Sequence, residues 1–416
     1  MGASAYNERP LVSSVLVASM HSSFSSQFLA LDALLTDTRR YWQLLAFDHI
    51  DIPWPDLEEA LLSLSDEDVT ALDRDPESLI AFLTPYIPAL QTLPTLTALT
   101  LDVASRPDFP FWLSNGIKGR KLTQLQDFVA QVYQPKLPVL EWCAGKGHLG
   151  RLLAYLGAEH VDSVELQAAL CQQGQHSAEQ QKLAMTFHCA DVLNDPITQY
   201  FRPRQQAVAL HACGRLHQTF MEQASAAQCE QISLSPCCYH LFTEPTYQPM
   251  SGVAAHSTLE LSHSDMKLAL QETVTAPGRV AKVRKREVQW RLAFDALRRD
   301  VTGDTQYLSV PSVNKAIFSG PFVDFCHWAA EQKQLDLPAH FDADYYLVQG
   351  RARQRITERI ELVRHAFRRA IEVWLVLDRV LYLEQAGYDV SLSEFCHKSL
   401  TPRNILIQAT RCQSAK

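Results

Sequence analysis

The chain has 416 residues, 47% apolar and 20% charged, with a net charge of −8; that is enough to bury an α/β core and carry further helices. No run approaches the ~18 consecutive apolar residues of a membrane span. The weakly apolar 11–20 stretch lacks a basic leader, and ten cysteines without disulfide rhythm suit reduced thiols, so a cytoplasmic protein with no membrane contact is expected. The acidic sum argues against a nucleic-acid partner, but the charge is uneven. Residues 1–135 hold eight Lys and Arg against seventeen Asp and Glu, while residues 279–369 hold seventeen against eleven. Such asymmetry is expected of an interaction surface.

In chain order, residues 1–115 read as a helical N-terminal region. Apolar residues recur at three-and-four spacing from Ser26 to Phe47, and Ser65 with the acids after it forms a helix start. From Lys118 the rhythm changes to short apolar runs alternating with helices: 138–142, 160–165, 184–192, 206–214 and 229–238. That alternation predicts a parallel sheet with helices on both faces. It stops at Pro249 and resumes with one long helix from Arg355 to Gln385. Two strands around 388–395 and 404–409 then form an antiparallel hairpin at the sheet edge. The predicted organisation is a sheet domain over 116–412, interrupted by a basic helical insert at about 246–354.

Gly145, Gly147 and Gly150 spell GxGxxG between a strand and a helix, where glycines let backbone approach a nucleotide and exposed amides favour an anion. Glu165 ends the next strand, placed for ribose hydroxyls. An NAD site and an S-adenosylmethionine site both fit. Glu141 inside the first strand end, Asp191 after the third strand and the antiparallel ending favour S-adenosylmethionine, because class I methyltransferases carry these features.

The stretches "LEWCAGKGHLG", "ALHACG", "SPCCYH" and "SLTPRNILIQA" together resemble the methyltransferase domain of glutathione S-transferase C-terminal-domain-containing protein and methyltransferase-like protein twenty-five. More distantly they are similar to the tRNA acceptor-stem 2′-O-methyltransferases. The resemblance covers roughly 115–245 and 355–412 and implies a Rossmann-like class I sheet with an antiparallel last strand. It implies a cofactor site at Glu141, Gly145, Gly147, Glu165, Asp191 and the run His211, Ala212, Cys213 and Gly214. Cys143 stands where most such enzymes have their first glycine, and Arg215, Leu216 and His217 replace an expected Thr-Asp-like pair.

The fourth and fifth strand ends bring His211, Cys213, Cys237, Cys238 and His240 into one neighbourhood, and three readings apply. Four of the five could bind zinc. Cys237 could attack a pyrimidine ring, activated by a His211 or His240 cation. The favoured reading is a pocket wall of small thiols without a metal, in which His211, Cys237, Tyr239 and His240 flank the acceptor. In the insert, Arg279, Lys282, Arg284, Lys285 and Arg286 lead a run of eight cations that Arg291, Arg298 and Arg299 complete. Helical spacing turns the cations outward, which suits RNA phosphates; pairing with the acidic N-terminal region is the alternative.

Overall fold

The computed structural model describes residues 23–102, 104–271 and 278–412, with the side chains of 278–281 outside the description. Among the described residues eight strands form one sheet: β1 (Thr100–Leu101), β2 (Val139–Trp142), β3 (Val161–Glu165), β4 (Met185–Cys189), β5 (Gln206–Cys213), β6 (Gln231–Cys237), β7 (Tyr388–Glu394) and β8 (Ile405–Arg411). Their order is β1-β7-β8-β6-β5-β2-β3-β4. Strands β2 to β6 pair in parallel; β8 runs against both β6 and β7, while β1 joins β7 in parallel. This is the Rossmann-like class I arrangement the sequence predicts. The hairpin differs in one respect. Strand β8 inserts between β6 and β7, and the two-residue β1, too short to leave a periodic signal, takes the edge.

Strands β2 and β3 are buried along their whole length, because helices cover both faces of the sheet there. The N-terminal region belongs to the same body. The Ser23–Asp37 helix lies on the Arg368–Gln385 helix, with Phe28 and Trp374 rings 5.2 Å apart and the Trp374 indole donating to Asp32 at 2.8 Å. The Asp66–Arg74 helix opens with the expected cap: Ser65 Oγ accepts from Asp68 N–H, and the Asp68 carboxylate accepts from Ser65 N–H.

The expected helix from Arg355 to Gln385 is two. Ala343–His365 and Arg368–Gln385 meet at Ala366 and Phe367, a break with neither Gly nor Pro to announce it. The insert also divides. Tyr247, Leu261 and Met266 join the sheet's core, whereas Trp290, Phe294, Leu297, Phe318 and Phe325 form a separate small core. Among the described residues no helix is long and apolar enough to cross a membrane.

Candidate active site

Parallel strands deliver their C-terminal ends to one rim, and the loops there build the crevice. After β2 the backbone turns left-handed at Cys143 (φ 55°), Gly145 (φ 59°) and Gly147 (φ 64°), then enters the His148–Leu156 helix. The three glycines do different work. A Cβ on Gly147 would lie 2.3 Å from the Phe187 ring, and one on Gly150 would lie 2.4 Å from the Glu141 carboxylate. Only Gly145 faces open space, with nothing within 4 Å of a Cβ built there. It is the glycine whose bare backbone can meet a ligand.

Glu141 is placed differently from the cofactor contact expected. Its carboxylate lies under the turn, accepting from Gly150 N–H at 3.0 Å and from the Ser163 hydroxyl at 2.7 Å. Burial pushes it up to about 7 despite these bonds. It is a prop for the loop and the helix start. Glu165 is the carboxylate on the rim: it accepts from Gly145 N–H at 2.9 Å and Gln167 N–H at 3.0 Å, tying the glycine turn to the end of β3. Beyond β4, Asp191 accepts from Leu193 N–H and the Asn194 amide, and the Asn194 bond leads the causes that hold its carboxyl below the usual range.

On the other side, β5 carries a bulge: Leu210 pairs with Ser235 and Cys213 with Cys237, so two residues face one between those pairs. His211 stands in the bulge at φ 61°. Its Nε2 accepts from the Gln124 amide, and burial, with the charges of Arg403 and Lys121, pulls the ring down to about 4. Cys238 is left-handed too, at φ 47°. The two strand ends are latched by backbone, Gly214 N–H to Cys237 carbonyl (3.1 Å) and Arg215 N–H to Leu241 carbonyl (2.8 Å). A Cβ on Gly214 would come within 2.0 Å of the Leu241 carbonyl oxygen.

Three candidates change role. Cys237 is buried, and hydrogen bonding to Cys213 and Cys238 keeps its thiol protonated; Cys238, which receives that bond, is pulled down to about 6. Neither His211 nor His240 supplies the cation proposed for Cys237, because burial depresses both rings. Tyr239 does not face the crevice: it is fully buried, with Arg379 over its ring at 5.0 Å and its hydroxyl unpartnered. His240 remains, half-buried, with a buried Nδ1 that has no hydrogen-bond partner.

Behind β5 lies a polar network that motif reading misses. Arg379 Nε donates to His217 Nε2 at 2.8 Å, and His217 Nδ1 donates to the Ala212 carbonyl at 3.1 Å. Arg379 also donates to the Tyr247 hydroxyl, which donates to Asp378; Asp378 in turn accepts from Met250 N–H and Ser251 N–H. Burial, then the Arg379 charge, holds His217 neutral. The network anchors the bulge from beneath. Its signal was a charged pair, Asp378-Arg379, inside an apolar helix.

Residues 118–245 match the family model described as a methyltransferase domain. This is a methyltransferase domain. The residues present fit S-adenosylmethionine as the methyl donor: an open backbone at Gly145, a carboxylate at the end of β3 and Asp191 one strand over. No curated protein matches the chain. Among solved structures, a putative sarcosine dimethylglycine methyltransferase from Galdieria sulphuraria aligns at 12% identity over 32% of this chain and 52% of its own, with a TM-score of 0.26. A tRNA (uracil-54, C5)-methyltransferase from Pyrococcus abyssi, in complex with S-adenosyl-L-homocysteine, aligns at 14% identity over 28% of each chain, with a TM-score of 0.24. An S-adenosylmethionine-dependent methyltransferase from Clostridium acetobutylicum aligns at 15% identity over 23% of this chain and 41% of its own, with a TM-score of 0.20. The chain therefore spans about half or less of each of these three structures.

The basic segment is less exposed than its sequence suggests. Arg298, Arg299 and Arg353 all pair with the buried Asp295, at 2.9, 2.7 and 2.6 Å, and Arg291 pairs with Glu287 at 3.0 Å. Arginines of the Ala343–His365 helix meet the N-terminal region: Arg353 donates to the Phe47 carbonyl, Arg359 to Leu61 and Leu64, and Arg364 to Trp42. Lys282, Arg284, Lys285 and Arg286 stay exposed; the Arg279 side chain lies outside the described residues.

Proposed function

We propose that this cytoplasmic protein transfers a methyl group from S-adenosylmethionine to structured RNA. The observation that carries the acceptor is the exposed run Lys282, Arg284, Lys285 and Arg286 on the first turns of the Gly278–Thr302 helix. Lys285 stands 3.9 Å from Glu358 and Arg286 donates to the Phe318 carbonyl, contacts that orient the side chains while leaving them on the surface. Cations held this way track phosphates.

When bound, the cofactor would supply an activated methyl group, carried on a sulfonium, for an acceptor oxygen or nitrogen. The chain aligns donor and acceptor and excludes water. Gly145 would offer the cofactor bare backbone, and Glu165, bonded to the loop amides in the structure, would hold its ribose hydroxyls. Asp191 serves the adenine side, while Ala212, Cys213 and Gly214 form the wall towards the acceptor. His240, neutral and with its Nδ1 free, takes the proton that the acceptor loses.

Gel-shift titrations with tRNA and rRNA fragments at two ionic strengths test the acceptor. Affinity should fall steeply with salt, and changing Arg284, Lys285 and Arg286 together to Glu should weaken binding and flatten the slope. Wild-type binding that is weak and indifferent to salt would move the acceptor to a protein side chain. Glu165→Ala should weaken S-adenosylhomocysteine binding about 10-fold, read as a smaller rise in Tm; an undiminished rise would remove Glu165 from the site.

A further inference from the structure

Beside the cofactor loop, Cys213, Cys237 and Cys238 place their three sulfurs within 4.8 Å of one another, with Cys213 Sγ and Cys237 Sγ 3.5 Å apart. The thiols are free. Around a tetrahedral zinc, with bonds of about 2.3 Å, sulfurs stand about 3.8 Å apart, so a small closure of this triangle gives ligand spacing.

The backbone is bent to make the triangle. Neighbouring residues of a strand point to opposite faces, so an extended Cys237-Cys238 pair would send its sulfurs apart. The left-handed turn at Cys238 returns the second thiol to the first. Across from it, the bulge and the left-handed His211 bring Cys213 level with Cys237. Left-handed conformations at non-glycine residues are strained, and a wall of small apolar groups requires none. The main-chain latch between the strand ends and the contact of Gly214 with Leu241 then hold the sulfurs in place. Arg403 acts on Cys238 through its charge and keeps one buried guanidinium nitrogen without a partner, a cation suited to a site carrying surplus negative charge.

We propose that Cys213, Cys237 and Cys238 bind a zinc ion through three thiolates, with the fourth coordination position left to water or to the acceptor. Each thiol loses its proton to solvent as its sulfur–zinc bond forms, so three thiolates and one dication carry a net charge of about −1. Three protein ligands and one open position is the pattern of zinc sites that do chemistry, and a group taken into that position would be made more acidic.

Full-length protein, produced with zinc and freed of loose metal by desalting under reducing conditions, should retain about one zinc per chain. Cys213→Ser, Cys237→Ser and Cys238→Ser should each lose it, while Cys412→Ser, at an exposed position, should keep it. Cobalt exchanged into the wild type should give thiolate-to-metal charge-transfer bands, a readout that stands even where a serine variant fails to fold. Zinc should also shield these three cysteines, and not Cys412, from iodoacetamide as mapped by mass spectrometry. Metal-free protein without cobalt–thiolate bands, zinc that survives all three substitutions, or a Cys213–Cys237 disulfide that forms in place of metal binding would each overturn the site. Methyl transfer is measured separately, so that failure of the metal site and failure of the methyltransferase reading on which it rests are told apart.

Discussion

At the rim of the sheet, acidic side chains bond to main-chain amides a few residues or one strand away; in the basic helices, charged side chains bond to each other and to distant carbonyls. Glu165 holds Gly145 and Gln167, and Asp191 holds Leu193. Those bonds are local, and a ligand with hydroxyls can replace them with little disturbance to packing. Asp295, only 1% exposed, gathers Arg298, Arg299 and Arg353, and Arg359 reaches carbonyls of Leu61 and Leu64 nearly three hundred residues away in sequence. Nothing there can be exchanged without exposing a buried charge. The rim is built to be occupied and the ion-paired helices are built to stay closed.

The largest effect separating the two regions is expected at Asp295. Asp295→Asn leaves three guanidiniums around a neutral amide and should cost about 3–5 kcal/mol in urea unfolding, the usual result of removing one partner from a buried ion cluster. Arg284→Ala, at an exposed position on the same helix, should stay within about 0.5 kcal/mol. An Asp295→Asn loss no larger than the Arg284→Ala one would dissolve the contrast.

A smaller effect is expected at Gly150. Its substitution by Ala drives a methyl against the Glu141 carboxylate beneath the helix start and should cost about 1–3 kcal/mol, as overpacking does. Glu141→Asp, which withdraws the carboxylate, should recover part of that loss in the double variant. Equal stabilities of wild type and Gly150→Ala in the same urea titration would show that the prop can simply move aside.

The sheet strands and the glycine turn were legible because each is written in a few consecutive residues: an apolar run, a glycine series, an acid at the next strand end. Residue type alone could not tell the glycine that faces open space from the two that make room for Phe187 and Glu141, since that depends on which side chain packs against each. Tyr239 sits beside Cys238 in sequence, yet the left-handed turn at Cys238 sends it behind the sheet. The cations were misread for a related reason. Helical spacing sets Asp295 beside Arg298 and Arg299 on one helix, but it does not say that Arg353 of another helix joins them, or that the Arg359 face meets the N-terminal helices.

The same comparison predicts opposite responses to pH, the most discriminating of the expected effects. Burial raises the Glu141 carboxyl from 4.5 to about 7. The folded rim therefore holds this proton more tightly than the unfolded chain, and the stability it contributes is full below about pH 4.5 and is lost as pH rises through 7. Asp73 goes the other way: burial would raise it, but His365 and Arg368 outweigh that and hold it down at about 2. Its contribution is present above its unfolded value of 3.8 and is lost as pH falls through 2. From pH 5 to 8, Glu141→Gln should gain on the wild type by about 2–3 kcal/mol, since a tenfold tighter hold on one proton is worth about 1.4 kcal/mol. The Asp73 side chain is 40% exposed, so solvent screens its pairs, and Asp73→Asn should remove less than about 1 kcal/mol of the acid-side loss between pH 5 and 2. Melting curves of the two variants and the wild type across that range measure both slopes. If Glu141→Gln runs parallel to the wild type from pH 5 to 8, the carboxyl is not held protonated beneath the loop. The turn would then rest on a carboxylate at the helix start, stabilised by the exposed amides there as an ordinary N-terminal anion is.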